Sequence, residues 1–254
     1  MSAVSVLGEG AVRTLLIDRP EAKNALDIAA IDAIGVVLDQ LQTDESLAVL
    51  ILAGGGGHFV SGGDLKDLRR IQGSQAALEL SQRASRCFSR FFALPAVVIA
   101  AIDGAAYGGG CELALYADLR VASAEARLVW KQLELGLMTG FGGGQLLLRQ
   151  VGYSQAMLWL STAAAVGAEE ALRAGLVDRV APPGVSARAE AERIGAIIAG
   201  MPRASLAAQK AALIQGRTLP LAEATALEAR AFAQTWGSEA HITALDRFFS
   251  RKAP

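Results

Sequence analysis

The sequence predicts an α/β fold, in which parallel strands are joined by helices. Two nearly continuous apolar runs, "LAVLILAG" (47–54) and "AVVIAAI" (96–102), are typical of strands that are buried on both faces. Segments with apolar residues at helical spacing alternate with these runs. At 254 residues and 52% hydrophobic composition, the chain is long and apolar enough to bury a large core.

The first half of the chain alternates between strand and helix patterns. "AVRTLLIDRP" (11–20) predicts a strand, and "ALDIAAIDAIGVVLDQLQ" (25–42) predicts a helix with one broad apolar face. A glycine-rich loop (54–63) then leads to a helix for which Asp64 is a candidate N-cap. A further amphipathic helix is predicted over 75–93, before the second apolar run.

The second half of the chain predicts mainly helices. A short strand, "LRVAS" (119–123), is followed by a glycine-rich loop, "GLMTGFGGG" (136–144). No strand is predicted after about residue 145. Four alanine-rich segments there predict helices, at 169–176, 187–200, 204–216 and 221–236.

Composition and charge exclude several classes of protein. The net charge of −1 provides no electrostatic basis for binding nucleic acid or an anionic membrane. No apolar run approaches the roughly 18 residues of a membrane span. Two cysteines, Cys87 and Cys111, make no disulfide framework, and the first ten residues lack a signal-peptide pattern, so a cytoplasmic protein is expected. The mean hydropathy of +0.35 indicates apolar surface that oligomerisation hides.

Several common chemistries lack their motifs. The sequence has no G-x-x-x-x-G-K-[ST], and "GAAYGGG" does not fit the spacing of a dinucleotide-binding fingerprint. His58 and His241 have no metal-ligand spacing, so no metal site is predicted. No G-x-S-x-G supports a serine hydrolase.

Two glycine-rich junctions predict a pair of backbone hydrogen-bond donors. "AAYGGGCELALYADL" (105–119) has three glycines at a helix entry, and "HFVSGGDLKDL" (58–68) has Gly62 and Gly63 at another. A glycine at a helix N-terminus exposes its N–H group without a side chain in the way. Two such groups aimed at one point would form an oxyanion hole. Tight packing of helix on strand is the alternative explanation for Gly108–Gly110.

Glu112 is the candidate acid/base. It follows the three glycines directly and is surrounded in sequence by apolar residues: Cys111, Leu113, Ala114 and Leu115. Burial in such surroundings would raise its pKa toward the range of a general acid/base. Stabilisation of the helix N-terminus is the alternative role for an acid at this position.

Five blocks of the sequence resemble, in order and spacing, the enoyl-CoA hydratase/isomerase (crotonase) superfamily, and they cover nearly the whole chain. The blocks are "RPEAKNAL" (19–26), "FVSGGDLKDL" (59–68), "PAVVIAAIDGAAYGGGCELALYADLRVA" (95–122), "LGLMTGFGGGQLL" (135–147) and "TAAAVGAEEALRAGLVDRV" (162–180). The resemblance implies a crotonase-type (ClpP/crotonase) spiral of β-β-α units over 1–195. It also implies a C-terminal helical region over 196–254 that covers the active site and forms a homotrimer or homohexamer.

The resemblance further implies the roles of particular residues. The N–H groups of Gly63 and Gly109 would hold the thioester oxygen of an acyl-CoA, with CoA as part of the substrate and no separate cofactor. Arg251 and Lys252 are candidates to meet the CoA phosphates. Tyr107 and Trp130 either shape the acyl pocket or serve packing. The residues expected to cradle CoA are Ala22, Ser61, Gly63, Asp64, Leu65, Lys66 and Gly109.

One departure from the family pattern bears on the reaction. The two family glutamates correspond to Glu112 and, four residues before Gly136, to Gln132. Because glutamine accepts no proton, a single carboxylate favours double-bond isomerisation or slow hydration. Glu134 is a weaker candidate for a second acid, and Thr139 replaces the family's loop proline. Decarboxylation of a malonyl-type thioester and non-catalytic binding of acyl-CoA, or association with RNA, are the alternatives.

Overall fold

The computed structural model describes residues 3–250, in which strands and helices alternate. The strands are β1 (Val4–Leu7), β2 (Val12–Ile17), β3 (Val49–Gly54), β4 (Val97–Ile102), β5 (Ala105–Tyr107), β6 (Leu119–Ala122), β7 (Arg127–Val129), β8 (Val166–Gly167) and β9 (Arg179–Val180). The helices are α1 (Ile28–Gln42), α2 (Leu65–Leu68), α3 (Ser74–Ala93), α4 (Gly109–Ala114), α5 (Gly143–Val151), α6 (Tyr153–Thr162), α7 (Ala168–Arg173), α8 (Ala187–Ala199), α9 (Arg203–Gly216), α10 (Leu221–Thr235) and α11 (Glu239–Ser250).

The strands form two sheets between which the chain alternates. The larger sheet has the order β1-β2-β3-β4-β6-β9 and is parallel except for the antiparallel β1–β2 pair. The smaller sheet has the order β5-β7-β8. After β4 in the larger sheet the chain enters β5 in the smaller one, and β6 and β7 repeat this step. The result is the expected spiral of β-β-α turns.

The central strands are buried on both faces, which explains their unbroken apolar sequences. On one face, Leu50 and Leu52 of β3 join the core formed with α1 and α3. On the other face, Val49 and Ile51 pack with Ala191 of α8 in a second apolar cluster. Since successive side chains of a strand point to opposite faces, a strand covered on both sides needs apolar residues throughout.

Some predicted boundaries and elements were wrong. The first helix begins at Ile28 rather than at residue 25, because the Asp27 carboxylate accepts a hydrogen bond from the Ala30 N–H (2.7 Å) and caps it. Asp64 caps α2 as predicted, through the Lys66 N–H. The prediction that no strand follows residue 145 was wrong, since β8 and β9 lie beyond it. These strands have two residues each, too few for a period-2 pattern in sequence.

The last three helices extend from the core as a mostly exposed region. Lys210 of α9 anchors this region: its Nζ donates to the carbonyls of Phe91 and Ala96 and pairs with Asp118, each at 2.8 Å. The predicted boundary between residues 195 and 196 falls inside α8. Among residues 3–250, no helix is both long and apolar enough to cross a membrane. Large apolar side chains exposed on α10 and α11 or between them are Leu221, Phe232, Trp236, Ile242, Leu245, Phe248 and Phe249.

Candidate active site

Arg19 and Asn24 hold the loop that carries Gly63. The guanidinium of Arg19 pairs with Asp27 at 2.9 Å and with Asp64 at 3.1 Å, which ties the residue after Gly63 to the start of α1. Asn24 is fully buried and has a left-handed backbone with φ of 60°. The Asn24 Nδ2 donates at 2.8, 3.0 and 3.1 Å to three carbonyls of the loop, those of Gly55, His58 and Phe59. The block "RPEAKNAL" therefore acts by fixing a neighbouring loop.

The glycines before α4 allow two backbone segments to approach each other closely. A Cβ built on Gly110 would lie only 2.0 Å from the Val60 carbonyl oxygen, so no larger residue fits there. Gly108 has φ of 47°, a conformation that favours glycine. Tight packing thus accounts for Gly110 and backbone conformation for Gly108. At Gly109 a Cβ would lie 2.7 Å from the Phe141 ring, so close packing against a side chain, and not against backbone as at Gly110, also favours glycine there.

The backbone amides of Gly63 and Gly109 line the same cavity, which has a volume of about 440 Å³. Gly109 is the first residue of α4, so its N–H has no acceptor within the helix. Neither amide donates to another group within residues 3–250. A Cβ built on Gly109 would lie 3.5 Å from the Gly63 nitrogen, so the two residues lie side by side. Two free donors this close can bind one oxygen atom between them.

Glu112 lies in the same cavity and is 1% exposed. Its Oε2 accepts hydrogen bonds from the amides of Phe141 (2.8 Å) and Gly143 (2.9 Å). Its Oε1 accepts from the Gly140 amide (3.2 Å) and from the Nε2 of Gln132 (3.0 Å). The loop before α5 and its first turn thus wrap three amides around one carboxylate. These hydrogen bonds offset the cost of burying the Glu112 carboxylate in an otherwise apolar segment.

Burial raises the pKa of Glu112 above its ordinary value of 4.5, as the sequence predicted. The four hydrogen bonds favour the ionised form and oppose this effect, but removal from water is the larger influence. The site therefore contains a carboxyl group that holds its proton more tightly than one in solvent. A raised pKa is a property expected of a carboxyl group that acts as a general acid/base.

Gln132 and Glu134 have different environments, although both line the cavity. Gln132 directs its Nε2 to Glu112, while its buried Oε1 has no hydrogen-bond partner within residues 3–250. Glu134 is half exposed and accepts two hydrogen bonds from Lys131, at 2.8 and 3.0 Å. Gln132 is thus the side chain that contacts Glu112, whereas Glu134 is paired with a cation.

The residues expected to cradle CoA divide into two sets. Ser61, Gly63, Leu65 and Gly109 line the cavity. The other three residues do not line it. The Ala22 carbonyl accepts a hydrogen bond from the Ser61 hydroxyl (3.0 Å), and Lys66 is exposed. The Asp64 carboxylate pairs with Arg19 and caps α2. Arg251 and Lys252 lie outside the described residues.

Tyr107 lines the cavity, whereas Trp130 is fully buried and stacked on Trp159, with ring centroids 5.8 Å apart. Sequence reasoning missed the amides that bind Glu112, and it missed Ser81 and Tyr116, whose hydroxyls bind the carbonyls of the same loop. The repeated glycines of "GLMTGFGGG" were the available signal for a backbone anion site. Among residues 3–250, no three His, Cys, Asp or Glu side chains are grouped as metal ligands.

The spiral of β-β-α turns defines a class of α/β fold, and its cavity combines a buried carboxylate with two backbone amides that have no acceptor among residues 3–250. A family model described as enoyl-CoA hydratase/isomerase matches residues 8–254. The short-chain-enoyl-CoA hydratase of Clostridium acetobutylicum is 34% identical over 248 residues, which cover 96% of this chain and 93% of that protein.

Solved structures agree with this match. The crystal structure of an enoyl-CoA hydratase from Bacillus anthracis has a TM-score of 0.92 at 28% identity and covers 99% of this chain and 98% of that one. The enoyl-CoA hydratase of Mycobacterium smegmatis also has a TM-score of 0.92, at 31% identity and the same coverage. The chain therefore belongs to the enoyl-CoA hydratase/isomerase family and has the crotonase fold with a C-terminal helical region. The predictions of family, fold and enzyme class are confirmed.

Proposed function

We propose that the protein carries out acid/base chemistry on an acyl-CoA thioester through an enolate, with Glu112 as its single catalytic carboxylate. Membership of the family supports acyl-CoA chemistry of the hydratase/isomerase type. One observation carries the finer proposal. The side chain that contacts Glu112 in the cavity is Gln132, an amide at 3.0 Å, and not a second carboxyl group.

Isomerisation of a double bond needs only one such group. Glu112 removes a proton from C2 of a 3-enoyl thioester, and the electron pair of the C–H bond forms a dienolate. The amides of Gly63 and Gly109 bind the thioester oxygen as its negative charge develops. The carboxyl group of Glu112 then returns the same proton to C4, which leaves the double bond between C2 and C3. No proton is gained or lost overall.

Hydration makes a greater demand on the site. Water must lose a proton as it attacks C3, while C2 must gain one. Gln132 can orient a water molecule through its unpartnered Oε1 but cannot accept or supply a proton itself. Glu112 would have to serve both steps in turn. We therefore expect hydration to be slower than isomerisation.

The substrate is proposed to be a CoA thioester with an apolar acyl group, and the reaction to use no separate cofactor. The cavity beside Glu112 is lined largely by apolar side chains, which suit such a group. We assign the CoA moiety to the loop of Ser61–Lys66 and to Ala22, where the exposed ammonium of Lys66 can attract a phosphate. The apolar side chains of the cavity are those of Leu65, Leu68, Leu80, Leu135, Leu137, Met138 and Phe141.

A second candidate function is binding of acyl-CoA without turnover. It is favoured by one observation: the four hydrogen bonds to Glu112 fill about as many acceptor sites as a carboxylate has. For catalysis one of these bonds must open, and the Gly140 amide at 3.2 Å is the longest of the four. Decarboxylation is less well supported, because the second carboxylate of a malonyl-type substrate would lie in a cavity that already contains Glu112.

We also propose that residues 196–254 form the trimerising region and cover the active site of a neighbouring subunit. The cavity lining identified within residues 3–250 ends at Phe141, so this chain's own α9–α11 are not part of it. Leu221 is 80% exposed and Trp236 is 65% exposed. Assembly would bury the apolar surface of both side chains, which is favourable.

Product analysis tests these proposals. The purified protein is incubated with 2-enoyl-, 3-enoyl- and malonyl-type CoA esters, and the products are separated by liquid chromatography and mass spectrometry. We expect conversion of the 3-enoyl to the 2-enoyl ester to exceed formation of the 3-hydroxyacyl ester. Glu112→Gln serves as the matched inactive variant. Tight binding of the esters with no product from any of them would support the non-catalytic alternative instead.

A further inference from the structure

The loop that binds Glu112 is itself held by two hydroxyl groups. The Ser81 hydroxyl, on α3, donates a hydrogen bond to the Gly140 carbonyl. The Tyr116 hydroxyl, after α4, donates to the Phe141 carbonyl at 2.6 Å. These two carbonyls alternate along the chain with the amides of Gly140, Phe141 and Gly143, which bind the carboxylate.

Ser81 controls the orientation of one of these donors directly. The Gly140 carbonyl and the Phe141 N–H belong to the same peptide unit, which is planar and trans. Its oxygen is fixed by Ser81 on one side, so its N–H is directed to the Oε2 of Glu112 on the other side, at 2.8 Å. Rotation of this peptide plane would break both bonds.

Tyr116 controls the next peptide unit, between the amides of Phe141 and Gly143. A Cβ built on Gly142 would lie 2.3 Å from the Tyr116 oxygen, and Gly142 has φ of 89°. Glycine at this position therefore lets the hydroxyl reach the Phe141 carbonyl. Burial raises the pKa of Tyr116 to about 12, so the phenol keeps the proton that it donates.

We infer that Ser81 and Tyr116 are positioning residues, which orient the amides of the 140–143 loop onto the Glu112 carboxylate and so tune its proton affinity. Neither hydroxyl donates its hydrogen bond to Glu112 itself. Each acts through a peptide unit. The inference rests on the proposed function only for its kinetic readout.

Other titratable groups near Glu112 could also affect its titration. Helix α4 packs against α5 and β5, and the cavity brings in further charges. The groups on these elements are Cys111, Tyr107, Tyr116, Lys131, Glu134 and Arg149. Ser81→Ala alters none of them. Tyr116→Phe removes one phenol, whose pKa of about 12 keeps it protonated at neutral pH.

The experiment compares Ser81→Ala and Tyr116→Phe with two matched controls. Ser89→Ala removes a hydroxyl of α3 that bonds the Arg86 carbonyl of its own helix, and Tyr153→Phe removes an exposed phenol of α6. For each folded variant, kcat and KM are measured against pH. The ionisation of Glu112 is followed separately, without substrate, by infrared spectroscopy of 13C-labelled glutamate, with Glu112→Gln as the reference.

We expect both positioning variants to lower kcat by about 10- to 100-fold, the usual effect of a small misplacement of a reacting group, with a smaller change in KM. A weakened amide donor also favours the neutral carboxyl, so the Glu112 titration midpoint moves upward in both measurements. Ser81→Thr, which keeps a hydroxyl, should restore the wild-type midpoint.

The two readouts separate this inference from the proposed function. A shifted infrared midpoint with unchanged kcat would support the positioning role and refute Glu112 as the acid/base. An unchanged midpoint in both folded variants, equal to that of Ser89→Ala and Tyr153→Phe, would overturn the inference whatever the activity.

Discussion

Replacement of Gly109 by alanine should abolish most of the activity while leaving the protein folded. The backbone of Gly109 does not have a positive φ, so alanine meets no conformational barrier there. The added methyl group, however, would lie 3.5 Å from the Gly63 nitrogen. We expect it to narrow the space beside the two amides, where the thioester oxygen is proposed to bind.

The expected loss of activity follows from the hydrogen-bond donors that the methyl group blocks. Loss of one donor of an oxyanion hole costs about 2.7–4 kcal/mol of transition-state stabilisation, or about 10²–10³ in rate. The effect on stability is smaller. The methyl group would approach two atoms of the Phe141 ring at 2.7 and 2.9 Å, and such overpacking costs about 1–3 kcal/mol. Replacement of glycine by alanine in a helix returns up to about 1 kcal/mol.

The assay is kcat/KM for the best CoA ester of the product panel, with folding checked by circular dichroism and thermal unfolding. Gly216→Ala is the matched control, because its methyl group would meet only the Ala224 side chain, at an ordinary 3.5 Å. Gly63→Ala tests the second donor, since its methyl group would contact Leu68 rather than the Phe141 ring at close range. A folded Gly109→Ala protein with kcat/KM within tenfold of the wild type would refute the amide-pair mechanism.

Four further outcomes are expected. Glu112→Gln should lower kcat by about 10²–10⁴, and it should also lose about 1–3 kcal/mol of stability because one amide oxygen replaces two acceptors. Gln132→Glu would bring a second carboxyl group within about 3.0 Å of the Glu112 carboxyl group. Repulsion between the two should raise the pKa of one of them and move the pH optimum upward. In the product assay, hydration should increase relative to isomerisation. Burial raises the pKa of Glu112 above 4.5. The stability that this carboxyl group contributes is therefore present below about pH 4.5 and is lost as the pH rises through the raised pKa. Urea unfolding of the wild type and of Glu112→Gln at several pH values measures this difference. Sedimentation should show a trimer or hexamer of 26.4 kDa subunits.

Each of these outcomes can fail separately. Full activity in folded Glu112→Gln would remove Glu112 from the reaction. Hydration by the wild type that equals isomerisation, and that Gln132→Glu does not change, would direct attention to Glu134 as the second acid. A wild-type stability that follows Glu112→Gln at every pH would contradict the raised pKa. A stable monomer at micromolar concentration would contradict the trimerising role of α9–α11.

The sequence by itself determined the features that local spacing encodes. The apolar runs of β3 and β4 identified strands buried on both faces, because a strand covered on both sides has no solvent-facing positions. The glycines at the entries of α2 and α4 predicted a pair of free backbone amides. The residues after Gly109 identified a carboxyl group, Glu112, in an apolar segment. Each of these inferences depends on residues within one helical turn or one strand.

Only the tertiary structure decided what surrounds the Glu112 carboxylate. Its backbone donors lie 28, 29 and 31 residues further along the chain, and Ser81 is 59 residues from the carbonyl that it holds. The tertiary structure also showed that Gln132 contacts Glu112, whereas Glu134 pairs with Lys131. Backbone amides carry no residue identity, so the glycines of the 136–144 loop can signal an anion site but not which carboxylate it binds. Their direction depends on how α3, α4 and the loop before α5 pack together.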